Sequence, residues 1–236
     1  MQIHSFESLA TLDGDGIRYA IYFNGCPLRC VYCHNPDTWG VSGNDYTPED
    51  IYNKVKRYKP YFKNNGGVTF SGGEPLIHAG FINEVNEYLK KDNIKYDLDT
   101  SGQVEMTDEV KTAINNSDLV ILDLKFYDNN SYYKYTGRTM MKTITMLYYL
   151  AAIEKRTWVR TVIVPGINDS KEILDEYIKI VKQFPHIEKY ELLGFHTMGF
   201  FKYEQLEIEN PLKDTPPLDQ DKLKELQEYV NQQLDK

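Results

Sequence analysis

Cysteine, basic charge and long apolar stretches are all scarce in this sequence of 236 residues. Acidic residues outnumber Lys and Arg by 35 to 27, which gives a formal net charge of −8. This composition excludes the uniformly basic surface that non-specific nucleic-acid binding needs. No apolar run approaches the roughly 20 residues that span a bilayer, and the first residues lack the layout of a signal peptide. We therefore expect a cytoplasmic protein that binds neither membrane nor nucleic acid.

The three cysteines, Cys26, Cys30 and Cys33, all lie within eight positions. An odd, clustered set in the cytosol is unsuited to disulfides, because reducing conditions keep thiols free. Thiolates are the ligands of iron–sulfur clusters, and three of them would leave one iron of a four-iron cluster open to a substrate. A zinc site is the main alternative. Zinc usually takes four ligands in two separated pairs. The nearest fourth candidate, His34, directly follows Cys33 and is therefore badly placed to bind the same metal ion.

Short apolar runs alternate with stretches of helical periodicity along the chain. This alternation, repeated about six times, predicts a parallel sheet with right-handed crossovers. Runs such as VTF, LVILDL and WVRTVIV are apolar enough to be covered on both faces. The pattern does not distinguish between a partial barrel and a doubly wound sheet. The predicted strands are Arg18–Asn24, Gly67–Ser71, Lys95–Asp99, Leu119–Leu124, Thr157–Val164 and Lys189–Gly194.

Helices are predicted where apolar residues recur every three or four positions. One follows Thr47-Pro48, a cap with a proline in the first turn, and another follows the cap residue Ser170. Further helices are predicted around Phe81–Leu89, within Ser131–Lys155, which holds one or two, and over Leu223–Leu234.

Unusual polar clusters fall where the six predicted strands end. In chain order they are GCPLRC, SGGE, DTSG, DLK, PG and FH. The carboxyl ends of parallel strands share one edge of a sheet, and active sites of barrels and open α/β sheets assemble there. The clusters therefore predict one site at this edge.

Several of these segments resemble those of a known family. CPLRCVYCHN, with Tyr32 before the last cysteine, is similar to the Cys-x3-Cys-x2-Cys signature of the radical S-adenosylmethionine (SAM) enzymes. IHSFESLATLDGDGIR, GVTFSGGEPL, LDTSG, LDLK, VRTVIVPGIND and ELLGFHTMG follow the order seen in the pyruvate formate-lyase activating enzymes of that superfamily. The resemblance covers residues 3–234. It implies an α/β fold, a partial (β/α)6 TIM-like barrel, as a single domain over 1–236 with a cluster loop at 25–39.

The resemblance implies an oxidoreductase that uses one 4Fe-4S cluster and S-adenosylmethionine. An electron from the reduced cluster would cleave the sulfonium bond to give methionine and a 5′-deoxyadenosyl radical. That radical would take the α-hydrogen of one glycine in pyruvate formate-lyase. No ferredoxin-like insert with additional cysteines follows Cys33, which favours this group of activases. A flavodoxin or ferredoxin is the expected electron donor, and the protein is expected to be a monomer.

The resemblance also implies individual roles around the cluster, which the three cysteines would ligate. Gly72 and Gly73 would let backbone carbonyls approach the ammonium group of the ligand. Asp99 and Thr100 would help to hold a monovalent cation, Na⁺ or K⁺. The predicted ligand-binding residues are Tyr32, Cys33, His34, Gly72, Gly73, Glu74, Asp99, Thr100, Asp123, Leu124, Lys125 and His196.

Each of these motifs has a plainer interpretation when it is read without the family. SGGEP is also typical of a turn, and Asp99 with Thr100 of a helix cap. Asp123 and Lys125 are compatible with a surface ion pair, and a lone histidine such as His196 is more often structural.

Three residues match those that meet the glycine-bearing loop of the partner: Asp13, His34 and Arg160. An arginine suits this role because its planar fork of donors fits backbone carbonyls or a carboxylate. The family pattern Asp-Gly-Pro-Gly reads Asp13-Gly14-Asp15-Gly16 here. Asp15 in place of proline is expected to loosen the loop, and it adds a charge.

Other functions stay open at this stage. The activase of another glycyl-radical enzyme, such as anaerobic ribonucleotide reductase, also lacks the insert but is usually shorter. A radical enzyme acting on a small molecule would use the same machinery, and a product assay would identify it. Elemental analysis would identify a structural zinc-binding protein.

Overall fold

The computed structural model describes residues 1–40 and 43–235, which form two compact units. Unit 1 comprises Met1–Pro27 and Thr38–Leu122, and unit 2 comprises Leu28–Asp37 and Asp123–Lys236. The loop predicted to carry the cluster is therefore divided between them, and the single-domain assignment stays a prediction. Among the residues described, no helix is both long and apolar enough to cross a bilayer.

The sheet of unit 1 combines parallel and antiparallel pairs. In its described residues the strand order is β3-β1-β2-β4-β5-β6. The parallel strands are β2 (Arg18–Phe23), β4 (Gly67–Gly72), β5 (Lys95–Thr100) and β6 (Leu119–Asp123). The antiparallel strands are β1 (Gln2–Ala10) and β3 (Asn44–Asp45). The parallel strands are almost wholly buried, as their apolar runs predict.

Unit 1 also contains α1 (Pro48–Val55), α2 (Lys59–Phe62), α3 (Ala79–Leu89) and α4 (Asp108–Asn116). The predicted cap of α1 is confirmed as a capping box. Thr47 Oγ1 accepts a hydrogen bond from Asp50 N at 3.2 Å, and the Asp50 carboxylate accepts one from Thr47 N at 2.9 Å. These reciprocal bonds satisfy two backbone donors, which fixes where the helix begins.

Unit 2 contains the parallel pair β7 (Thr157–Ile163) and β8 (Ile187–Gly194). Its helices are α5 (Asn129–Thr136), α6 (Met141–Ala152), α7 (Lys171–Val181), α8 (Phe200–Gln205) and α9 (Gln220–Leu234). Ser170 caps α7, since its hydroxyl accepts from Ile173 N at 3.4 Å. Both predictions for this region are thus confirmed, the cap at Ser170 and the two helices α5 and α6.

All six predicted strands are confirmed, each with bounds within two residues of those expected. Among the described residues, two strands and two helices were not predicted: β1, β3, α4 and α8. β1 lacks an apolar run because it buries only Ile3 and Ala10 fully, and it pairs antiparallel with β2. A search for apolar runs misses such a strand, since one half-covered face needs few apolar residues.

Candidate active site

The predicted cluster loop follows β2 and begins at a glycine, Gly25, whose backbone conformation other residue types adopt only with difficulty. Gly25 has φ +85°, a left-handed conformation that other residues rarely adopt. Its N–H donates to Thr38 O at 2.7 Å, and its carbonyl accepts from Glu74 N at 2.8 Å. Unit 1 therefore joins the start of the loop to the SGGE segment, as the shared sheet edge predicted. Cys26 follows directly and is half-buried.

Glu74 joins the ends of β4 and β5 through a fully buried carboxylate. Oε1 accepts from Thr100 Oγ1 at 2.5 Å and from Leu76 N at 3.1 Å. Oε2 accepts from Ser101 N at 2.9 Å and from Ser101 Oγ at 2.5 Å. Burial raises the pKa of Glu74, although the bonds from Ser101 and Thr100 oppose that change. We call this arrangement the Glu74 corner; it is more than the simple turn that SGGEP alone suggests.

Gly72 and Gly73 lie where backbones come too close for a side chain. Gly72 has φ +111°, and a Cβ there would lie 2.6 Å from Phe23 O. A Cβ on Gly73 would lie 2.7 Å from the carbonyl carbon of Gly25. Nearby, the Asp99 carboxylate accepts a hydrogen bond from Ser71 Oγ at 2.8 Å. Unit 1 thus gathers Gly72, Gly73, Glu74, Asp99 and Thr100 at the carboxyl ends of neighbouring strands.

In unit 2 the loop is tied to the end of α5. Val31 N donates to Tyr135 O at 3.0 Å, and Cys33 N donates to Cys30 O at 3.0 Å. Between these bonds the Tyr32 side chain turns inward, 7% exposed, with its ring centroid 6.1 Å from that of Phe126. Burial raises the pKa of Tyr32 well above its usual range. Its hydroxyl has no hydrogen-bond partner among the described residues.

The segment after β6 carries an ion pair that is mostly shielded from solvent. Lys125 Nζ lies 2.5 Å from Asp123 Oδ2, and the two side chains are 14% and 23% exposed. Burial opposes the charge of Lys125, but the Asp123 carboxylate and Cys30 raise its pKa above the usual range. Leu124 between them is fixed by its backbone, whose N–H donates to Arg160 O at 2.8 Å. The pair is therefore not an ordinary surface ion pair.

Two histidines of unit 2 that lie far apart in sequence face each other. The ring centroids of His34 and His196 are 5.1 Å apart. His34 is an exposed residue overall, yet the desolvation of its ring, together with the neighbouring His196 and Lys125, lowers its pKa to about 4. His34 is therefore uncharged at neutral pH. His196 Nδ1 is buried and has no hydrogen-bond partner in the part of the chain that the structure describes.

The predicted partner-binding residues are engaged inside their own units. In unit 1, Asp13 O accepts from Thr69 Oγ1 at 2.6 Å, and Asp15 O accepts from the buried Arg18 at 3.2 Å. These bonds tether the Asp13–Gly16 segment at the position where the family has proline. In unit 2, Arg160 is 8% exposed and its Nε donates to Glu191 Oε2 at 2.9 Å.

The side chains present fit an iron–sulfur cluster with an adenosyl ligand. Cys26, Cys30 and Cys33 are thiols, the ligand type that such clusters take. No group of three His, Cys, Asp or Glu residues suited to a single metal ion occurs among the described residues. A cluster differs in this respect because each thiolate binds its own iron. The unpartnered Tyr32 hydroxyl and His196 Nδ1 are polar atoms that a bound ligand would satisfy, as buried polar atoms require.

Sequence reasoning missed several residues that support these positions. Ser101 supplies two of the donors to Glu74, and Lys202 and Tyr203 on α8 contact the loop after Cys33. Ser101 belongs to the DTSG cluster and could have been found by the strand-end rule. Lys202 and Tyr203 follow the FH cluster after the sixth predicted strand, but nothing in their pattern indicates that they reach the loop.

Comparison with known proteins defines the class. The family model of the radical SAM superfamily matches residues 20–178. The described fold is similar to that of Streptococcus suis SuiB bound to the precursor peptide SuiA, with a TM-score of 0.69, 18% identity and coverage of 92% of this chain and 45% of that one. It is also similar to a domain of a pyruvate-formate lyase-activating enzyme from Bacteroides vulgatus, with a TM-score of 0.58, 19% identity and coverage of 71% and 94%. The predicted α/β fold class of the radical SAM enzymes is thereby confirmed.

Curated relatives narrow the class further. The pyruvate formate-lyase-activating enzyme of Clostridium pasteurianum is 40% identical over 99% of this chain and 98% of its own length. That of Staphylococcus epidermidis is 38% identical over 97% of this chain and 94% of its own length. The chain therefore belongs to the radical SAM superfamily and, within it, to the family of the pyruvate formate-lyase-activating enzymes.

Proposed function

We propose that this protein activates a pyruvate formate-lyase by removing the α-hydrogen of one of its glycines with a 5′-deoxyadenosyl radical made from SAM. The observation that carries the proposal is the 40% identity to an enzyme of that name over 99% of the chain. The three cysteines in one loop support it, since they supply the ligands that the chemistry of this superfamily needs.

Cys26, Cys30 and Cys33 would hold a single 4Fe-4S cluster and leave one iron without a protein ligand. When bound and reduced, such a cluster supplies the electron that breaks the sulfonium bond of SAM, and the protein supplies placement. Lys125, which interacts electrostatically with Cys30, adds positive charge near a ligating sulfur. That charge favours the thiolate over the thiol.

In unit 1 the Glu74 corner would present backbone atoms of Gly72 and Gly73 to the methionine portion of SAM. The carboxylate of Glu74 already accepts four hydrogen bonds, so its role is to hold the two strand ends together. Asp99 and Thr100 would help to bind a monovalent cation, Na⁺ or K⁺, because oxygen ligands suit a hard ion.

In unit 2 the adenosine would be bound by Tyr32, His34 and His196. Support comes from the buried Tyr32 hydroxyl and His196 Nδ1, which lack partners among the described residues. Asp123, Leu124 and Lys125 would contact the ribose and methionine portions. The neutral state of His34, with its pKa lowered to about 4, would let the ring approach the ligand without repelling the sulfonium.

Asp13, His34 and Arg160 would contact the glycine-bearing loop of pyruvate formate-lyase. We further propose that residues 1–236 act as one activase domain and as a cytoplasmic monomer, with the cluster loop at 25–39 and a flavodoxin or ferredoxin as electron donor. Arg160 would have to exchange or share its Glu191 partner with the incoming loop, since its Nε now donates to that carboxylate.

The test is anaerobic reconstitution of the full chain with iron and sulfide, followed by reduction and addition of SAM and pyruvate formate-lyase. We expect about four irons per chain and a glycyl radical detectable by electron paramagnetic resonance. Cys30→Ala should lose both the iron and the radical. A wild-type chain that stays colourless would refute the cluster, and SAM cleavage without a glycyl radical would refute this partner.

A further inference from the structure

One face of α8 contacts the loop that follows the third cysteine, and both belong to unit 2. The Tyr203 hydroxyl donates a hydrogen bond to Cys33 O at 2.7 Å. Tyr203 is only 2% exposed, so water does not compete readily for this bond. The bond restrains the peptide plane that follows Cys33, and with it the backbone that carries the Cys33 thiol.

The next contact is an electrostatic one further along the same loop. Lys202 Nζ lies 2.7 Å from Asn35 Oδ1 and 2.9 Å from Asp37 Oδ2. The Lys202 and Asp37 side chains are 19% and 28% exposed, which screens the pair less than full exposure would. Such a charge-assisted bond is shorter and stronger than one between neutral groups.

A third contact brings the two backbones together. Gly199, the residue before α8, approaches His34 so closely that a Cβ on it would lie 2.7 Å from His34 Cα. Gly199, Lys202 and Tyr203 are spaced i, i+3, i+4, which places them on one face of a helical turn. That face therefore contacts Cys33, His34, Asn35 and Asp37.

We propose that Tyr203 and Lys202 are positioning residues, which hold the Cys33–Asp37 segment in place before a cluster binds. This inference rests on the proposed function, because it assigns Cys33 as a cluster ligand. A loop that is already ordered loses less conformational entropy when it takes up its ligand. The α8 contacts therefore favour retention of the cluster without touching iron or SAM.

Two substitutions test the proposal, each with a matched control in unit 2. Tyr203→Phe removes only the hydroxyl, and Tyr229→Phe removes a hydroxyl that donates to Asp175 Oδ1 at 2.6 Å, between α7 and α9. Lys202→Met removes the ammonium group, and Lys171→Met removes one that lies 2.6 Å from Glu225 Oε1. The rings and aliphatic stems stay, so the variants keep most of their packing.

The first readout is amide hydrogen exchange of the full chain before reconstitution, followed over residues 28–38. We expect Tyr203→Phe and Lys202→Met to exchange roughly two- to tenfold faster there, the factor that one hydrogen bond is worth. The controls should match the wild type in this segment. Unchanged exchange in both test variants would overturn the proposal.

The second readout is the rate at which a chelator removes iron from the reconstituted chain. Tyr203→Phe and Lys202→Met should lose iron faster than the wild type, by a factor of the same order, while both controls lose it at the wild-type rate. Equal rates in all five chains would contradict a role in cluster retention. If the wild type took up no iron, the proposed function would fail, whereas the exchange result would still decide whether α8 orders the loop.

Discussion

The Glu74 corner of unit 1 and the Cys33–Asp37 segment of unit 2 are held in contrasting ways. At the corner, one buried carboxylate binds Thr100 and Ser101, which lie 26 and 27 positions away in sequence. The Cys33–Asp37 segment is held by Tyr203 and Lys202, and these bonds join residues 170 and 167 positions apart. The first arrangement joins neighbouring strand ends, and the second joins distant parts of the chain.

The two arrangements differ in how much stability the protein loses when one of their side chains is removed. Loss of the Glu74 carboxylate would remove the acceptor of four buried hydrogen bonds, and the loss of buried hydrogen bonds is costly. Loss of the Lys202 ammonium would leave partly exposed acceptors that water can satisfy. The corner should therefore govern the stability of unit 1, whereas the α8 contacts should govern how well a folded chain retains its cluster.

The largest effect is expected from Glu74→Ala. The change removes the acceptor of the four hydrogen bonds from Thr100, Ser101 and Leu76, and it leaves a cavity. We expect the free energy of unfolding to fall by about 3 kcal/mol or more, measured by urea denaturation of the metal-free chain. Glu84→Ala, an exposed carboxylate on α3, should change it by less than about 0.5 kcal/mol. Equal effects of the two changes would mean that the corner contributes little.

A smaller loss is expected from Gly199→Ala, which forces a methyl group against the His34 backbone. Overpacking of this kind costs about 1–3 kcal/mol. Faster exchange over residues 28–38 should accompany the loss of stability, since the segment must move to make room. Met198→Ala, at a neighbouring side chain that is 74% exposed, is the control and should leave both measurements unchanged. If the Gly199→Ala chain exchanged at the wild-type rate over residues 28–38, the contact between Gly199 and His34 would not restrain the loop.

The smallest effect is a change in pH dependence at Glu74. Its pKa is raised in the folded chain from an ordinary value of 4.5, so above about that pH the folded state holds a proton that the unfolded state has lost. Stability from this group is therefore present at low pH and decreases as the pH rises toward the folded pKa. Glu74→Gln cannot titrate. The wild-type free energy of unfolding, minus that of Glu74→Gln, should fall with rising pH in this window, and a flat difference would contradict the raised pKa.

The sequence predicted the parts of the site that depend on strand ends. Apolar runs located the six strands of the parallel pattern, and the cysteines, SGGE and DTSG follow from where those runs stop. β1 could not be predicted in this way, because its half-exposed face leaves only Ile3 and Ala10 fully buried. The Glu74–Ser101 bonds needed the register of two strands, which an apolar pattern does not give.

Local chemistry in the sequence determined the six predicted strands and the caps at Thr47 and Ser170, and it predicts the three cysteines as the ligand set, because these features depend on neighbouring residues. Only the tertiary structure decided that Lys202 and Tyr203 reach the cysteine loop and that Glu74 uses its carboxylate internally. Contacts across 167 or 170 positions leave no periodic trace, since they arise when separate elements pack together. Periodicity records which face of an element is buried, and the fold determines which residue that face meets.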